Sequence, residues 1–198
     1  IWNLQKYYAD TAISNLCGAI FYKEKRNTKQ LQQAVTVFIE KQSGMRLRFT
    51  DGTVPTQYVS EEKIEEIPFM TFDTMDELDS YAKQFAKEPI GLCDTAMYRF
   101  VIFQVENQSG VLVVLSHLIS DAWTFGLMAN QVDVLYHMLE AGQDITSVEM
   151  DYLDYVQSEE EYFSSERYLK DQAYWESKYE NQPERTVVKI SPATSGSI

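Results

Sequence analysis

The chain has 198 residues, 44% of them apolar and 13% aromatic, which is enough to bury a sizeable core and incompatible with intrinsic disorder. Thirty acids against seventeen bases leave a net charge of −13, the wrong sign for a surface that must displace counterions from nucleic acid. No apolar run reaches the ~20 residues of a membrane span, and two cysteines with two histidines leave little from which to build a disulfide framework or a zinc site.

In chain order, Leu16 to Tyr22 reads as a strand. Leu31, Ala34, Val35, Phe38 and Ile39 then form one helical stripe, with Asn27 or Thr28 to cap its start and Gly44 to end it. Met45 to Phe49 alternates apolar and basic residues, as a half-buried strand should, and Asp51-Gly52 turns the chain into a second strand around Gln57 to Val59. A second amphipathic helix starts at Thr74, with Glu77 as its capping-box partner. It buries Leu78, Tyr81, Ala82 and Phe85 and ends before Pro89. Met97 to Val105 and Val111 to Leu115 flank the polar run Asn107 to Gly110, the pattern of a hairpin of central strands.

A third helix carries Phe125, Met128, Val132, Leu135 and Leu139 on one face and ends at Ala141-Gly142. Beyond it lies a helical, tyrosine-rich stretch from about Tyr152 to Tyr179. The tail, about 185–198, reads as a short strand and a polar end. The region from Lys23 to Thr50 holds seven bases and two acids; from Glu149 to Glu184 there are eleven acids and three bases, which we take as a solvated helix face. Without a repeat or a Gly/Ser linker, the reading is one α/β lobe: a mixed sheet with helices packed on it.

The chemistry centres on His117-Leu-Ile-Ser-Asp121, where a buried strand runs out toward a helix. A neutral imidazole there can accept a proton from an attacking amine, hydroxyl or thiol. Asp121, four residues on, can orient that ring, pair with a base elsewhere or cap the next helix; for Asp121 alone, the cap is the commoner arrangement. The two residues find no third metal ligand at a convincing spacing. No serine sits in a G-x-S-x-G elbow and no glycine loop suits a phosphate. His137, between Asp133 and Glu140 and off the apolar stripe, reads as a surface residue.

Leu115 to Thr124, LSHLISDAWT, resembles the HHxxxDG motif of nonribosomal peptide synthetase condensation domains. Ile1 to Leu4 resembles the end of that family's first motif. Lys41 to Phe49, KQSGMRLRF, is similar to its RHExLRTxF motif, Tyr152 to Val156 to YxDYA, and Gln172 to Trp175 to the downstream YW pair. The resemblance implies the N-terminal lobe, spanning 1–198, of a two-lobed chloramphenicol acetyltransferase-like fold that closes around a tunnel. The chain opens on Ile1 rather than Met, so its natural start is expected upstream; the second lobe, with the family's later motifs, is absent from these 198 residues, which read as an N-terminal half, either excised from a longer protein or the product of a truncated gene. Alone, the chain is expected to be inactive.

The implied reaction joins a thioester donor to an amine acceptor, with His117 positioning or deprotonating the amine. Ser116 stands at the motif's first His and Ala122 at its Gly, whose N–H is an oxyanion donor candidate. Asp121 is expected to hold the loop, paired with Arg46 or Lys41. The implied partners are donor and acceptor peptidyl carrier domains, the second lobe and neighbouring synthetase domains, in the cytoplasm. No nucleic acid, membrane or metal is expected. No tightly bound cofactor is implied, because the phosphopantetheine arm belongs to the carriers. Two rivals stay open: an ester-forming acyltransferase of the same fold, and a degenerate module that only docks carriers or recruits an enzyme.

Overall fold

The computed structural model describes residues 1–145 and 151–181, which fall into two compact units divided between Asp154 and Tyr155. The first unit opens with helix α1 (Trp2–Tyr7), strand β1 (Asn15–Tyr22) and helix α2 (Thr28–Lys41). The short strands β2 (Leu47–Phe49) and β3 (Gln57–Val59) form an antiparallel pair. Then come β4 (Phe69–Phe72), α3 (Met75–Lys87), β5 (Tyr98–Val105), β6 (Gln108–Ser116) and α4 (Ala122–Glu140).

The main sheet runs β1-β6-β5-β4, antiparallel except for β4, which lies parallel to β5. The expected hairpin is therefore central. Its faces explain its composition. Phe100, Ile102, Val111, Val113 and Leu115 point to one core, closed by α2 and α4; Val101, Phe103, Val105, Leu112 and Val114 point to a second, closed by α3. Strands covered on both faces read as continuous apolar runs. The mixed α/β sandwich is as the sequence implies.

Local signals mostly hold. The Asn27 side chain caps α2 by accepting from the Gln30 N–H, and Thr74 caps α3 by accepting from the Glu77 N–H. Gly142 takes φ +62 just past α4, the left-handed conformation that glycine adopts without strain.

Three expectations are corrected. Gly44 does not end α2; the helix stops at Lys41 and Gly44 lies inside a 3₁₀ turn, Ser43–Arg46, which also takes Met45 and Arg46 out of the expected strand. Arg48 is not a solvated residue of a half-buried strand but is only 6% exposed. The hairpin turns at Glu106-Asn107, Glu106 having φ +51, so Gln108 to Gly110 belong to β6. Gly110 is there for space: a Cβ would collide with the Phe103 ring and the Ile20 carbonyl. The stretch after Tyr152 is helical as expected, divided into α5 (Tyr152–Phe163) and α6 (Glu166–Lys178) because Ser165 leaves helical geometry and caps α6 through the Tyr168 N–H.

Neither α5 nor α6 contains a buried residue, so their acids are solvated, as expected of that charge run. Within the second unit, Tyr162, Phe163 and Tyr168 meet ring to ring at 5.3–5.7 Å across the break, and the Tyr162 hydroxyl donates to Asp171 at 2.9 Å. The tail expected as a strand and polar end lies outside the described residues.

Candidate active site

β6 is buried from Ser109 through Ser116 and delivers His117 to the surface at its C-terminal end. The exit is tightly held. The Ser116 N–H donates to the Met97 carbonyl at 2.8 Å, and the His117 N–H to the Ser14 carbonyl at 2.8 Å, so the residues just ahead of β5 and β1, the strands on either side of β6, fix the peptide that carries the imidazole. Ser116 is fully buried. Its Oγ accepts from the Leu118 N–H at 3.3 Å, and its carbonyl accepts from the Ser120 hydroxyl at 2.8 Å and the Ile119 N–H at 3.1 Å. A small hydroxyl at this place thus closes the turn on itself.

The imidazole has a defined tautomer. Its Nδ1 lies 2.7 Å from the Ser120 carbonyl oxygen, and a carbonyl can only accept, so Nδ1 carries the proton and the neutral ring leaves Nε2 as a lone-pair base. Because His117 is exposed, that lone pair is accessible from outside the first unit.

Asp121 begins α4 as its N-cap. Its carboxylate accepts from the Thr124 N–H at 3.0 Å and the Thr124 hydroxyl at 2.9 Å, while the Thr124 hydroxyl accepts from the Asp121 N–H at 3.1 Å. These Thr124 contacts are the main reason its carboxyl titrates below the usual value, with His117 adding a smaller push. The expected pairing with Arg46 or Lys41 does not form. Arg46 donates instead to the Ser60 carbonyl at 3.3 Å, and Lys41 ends α2 exposed. A residue committed to capping at an exposed helix start has little left for a distant base. Ala122, also exposed, is the first helical residue, so its N–H belongs to the first-turn donors that a helix leaves unsatisfied.

Sequence reasoning missed two supports of this arrangement. In α4, Tyr136 is buried and Asp133 pairs with Arg26 at 2.6 Å, the guanidinium lying 3.6 Å over Tyr22 and 4.5 Å over Tyr136. Burial pushes the Tyr22 phenol up to about 12, Arg26 opposing and Asp133 adding. The second support is Ser43, whose N–H and hydroxyl hold Asp151, just ahead of α5. His137 stays at the surface beside Asp133 and Glu140. A cavity of about 810 Å³ opens elsewhere in the first unit, and His117 is not among its lining residues. No group of three metal-ligating side chains comes together among the described residues, and no described helix is long and apolar enough to cross a membrane.

Comparison with known proteins fits this geometry. Residues 1–195 match the condensation domain family. Surfactin synthase subunit 1 of Bacillus subtilis is 29% identical over the whole chain, and tyrocidine synthase 3 of Brevibacillus parabrevis is 22% identical over 81% of it. The chain spans only 6% and 2% of those proteins. Among solved structures, the starter condensation domain of rhizomide synthetase RzmA superposes on 92% of the chain with a TM-score of 0.81 at 19% identity, and VibH, a condensation enzyme, on 93% with 0.79 at 17%. The chain covers 46% and 44% of those two. The fold is that of one part of a chloramphenicol acetyltransferase-like structure.

Proposed function

The chain belongs to the condensation domain family of nonribosomal peptide synthetases, and we propose that it is the N-terminal lobe of a domain that forms amide bonds between carrier-bound partners. The donor is an acyl or aminoacyl thioester on a phosphopantetheine arm; the nucleophile is an amine on a second carrier. His117 Nε2 accepts a hydrogen bond from the amine, orients the nitrogen lone pair on the thioester carbon and takes the proton as the C–N bond forms; the C–S bond then breaks, and the departing thiolate of the arm recovers that proton from His117 and leaves as the thiol. The observation that carries this reading is the Nδ1 contact with Ser120, which frees Nε2 as the base.

In this proposal Asp121 sets the start of α4 and does not move protons. The Ala122 N–H and the positive end of α4 support negative charge on the tetrahedral oxygen. The tunnel is completed by a second lobe, in keeping with the 44–46% of the solved condensation structures that the chain covers, and the protein works in the cytoplasm alongside its carriers. The test is a single-turnover assay of the two-lobe protein with a loaded donor and a loaded acceptor carrier. Amide product from wild type, with formation slowed by about 10²–10⁴ in His117→Ala, supports it. Silence from wild type alongside tight carrier binding assigns the protein to docking, and product only with hydroxyl acceptors assigns it to ester formation.

A further inference from the structure

The cavity away from His117 is bounded by the start of β5, the end of α3, β2 and the loop 60–68. Arg46, Arg48 and Arg99 all line it, and in each the Nε is buried without a hydrogen-bond partner. Arg99 is explained by the fold: its guanidinium donates to the carbonyls of Phe85, Glu88 and Pro89 and so closes the end of α3. Arg48 is not. It is 6% exposed, donates from Nη1 to the Leu47 carbonyl, lies 5.9 Å from the Tyr98 ring and hydrogen-bonds the Tyr98 side chain, yet its Nε has no acceptor and, among the described residues, it makes no ion pair with a carboxylate. Among the described residues, Arg46 donates to the Ser60 carbonyl and makes no ion pair, although its charge is felt at Asp151.

The acids that also line the cavity, among them Glu62, Glu65 and Asp94, are exposed. Positive charge is therefore inside and negative charge at the rim. In a chain of net charge −13, arginines are not short of carboxylates, so a buried guanidinium left without one marks a place kept for an acceptor. An arginine fork matches the oxygens of carboxylate and phosphate, and buried charges are retained where they are paired.

We propose that this cavity binds a small oxyanion, a phosphate or carboxylate group, through Arg48 with Arg46 beside it. The site is separate from His117, and the inference does not rest on the reaction proposed above.

The test is calorimetric titration and thermal melting of the 198-residue chain with inorganic phosphate and, separately, succinate, against sodium chloride at equal ionic strength. Saturable binding at a Kd of about 1 mM or tighter is expected for at least one anion, with a Tm rise of about 5 °C at a hundredfold excess over Kd. Binding by phosphate alone assigns the site to phosphate groups, and by succinate alone to carboxylates. Arg48→Met should weaken binding at least tenfold and Arg46→Met severalfold, while His117→Ala leaves it unchanged. If Arg48→Met does not fold, Arg48→Lys keeps the charge, loses the fork and should also weaken binding. Absence of binding by both anions, or equal affinity in wild type and the Arg46 and Arg48 variants, overturns the proposal.

Discussion

The carboxylate of Asp151 accepts from both the hydroxyl and the N–H of Ser43, at 2.6 and 3.0 Å. The contact ties the 3₁₀ turn after α2 to the start of α5, the two segments that resemble separate family motifs. Burial raises the Asp151 pKa, but the two Ser43 bonds, the Tyr152 N–H and Arg46 outweigh it, so the carboxyl titrates below its ordinary 3.8. A carboxyl with a lowered folded pKa contributes fully above its unfolded value and loses that contribution as pH falls through the folded one. Ser43→Ala should therefore lower stability by about 1–2 kcal/mol at pH 7. Urea unfolding measured from pH 7 down to pH 2 should show the gap to wild type closing below about pH 4. A gap constant over that range would remove Asp151 from the explanation.

His117→Ala should slow amide formation by about 10²–10⁴ in the two-lobe protein, the usual range for a lost acid–base group. Melting should move by no more than about 1 °C, because the ring is exposed and only its Nδ1 contact is lost. Differential scanning alongside initial rates checks both. A large fall in Tm would make His117 a structural residue.

Asp121 separates a cap from a charge. Since its contacts are all local to α4, Asp121→Ala should lower Tm by only about 2–4 °C, far less than breaking a buried ion pair. Asp121→Ser, a comparable cap without charge, should recover both the Tm and most of the turnover. Recovery of Tm without turnover would show that the carboxylate itself is needed.

The sequence was most legible where one side chain decides a local outcome: the Asn27 and Thr74 caps, the α2 stripe and the apolar runs of β5 and β6. It was least legible where the outcome depends on remote packing. Phe69–Phe72 is four residues long and becomes a strand only because β5 offers it a parallel edge, and α1 spans six residues, too few for periodicity to register. Gly110 signalled a turn, yet its reason is the Phe103 ring across the hairpin. At the site, the position of His117 was readable from strand and motif, whereas its tautomer required the Ser120 carbonyl. The Asp121 pairing failed because a cap three residues away was nearer than any arginine.

Gly18 supports the site from below. In β1 it meets Phe125, one turn into α4, so closely that a Cβ would lie 2.7 and 2.9 Å from the ring's Cε1 and Cδ1. Gly18→Ala must push that ring and the start of α4 away, at about 1–3 kcal/mol for overpacking. Phe125→Leu in the same chain should return much of the loss. Denaturation of the single and double variants gives the coupling; strictly additive effects would rule out the contact as the cause.

The two departures from the family motif, Ser116 and Ala122, make opposite predictions. Ser116 is fully buried and its Oγ already holds the Leu118 N–H, so Ser116→His puts a larger ring into filled space and breaks that bond. Stability should fall by about 1–3 kcal/mol, and turnover should fall with it because His117 is the next residue. Ala122 is exposed in the first turn of α4, and its φ is not in the left-handed region, so its Cβ meets neither strain nor crowding within the first unit. Ala122→Gly should leave turnover within about tenfold, or ~1.4 kcal/mol of barrier. If Ser116→His instead raised turnover in the two-lobe protein, the serine would be a lesion in a decayed catalyst and the docking role would gain; if it lowers turnover from a robust wild-type rate, the serine is an adaptation of a working one.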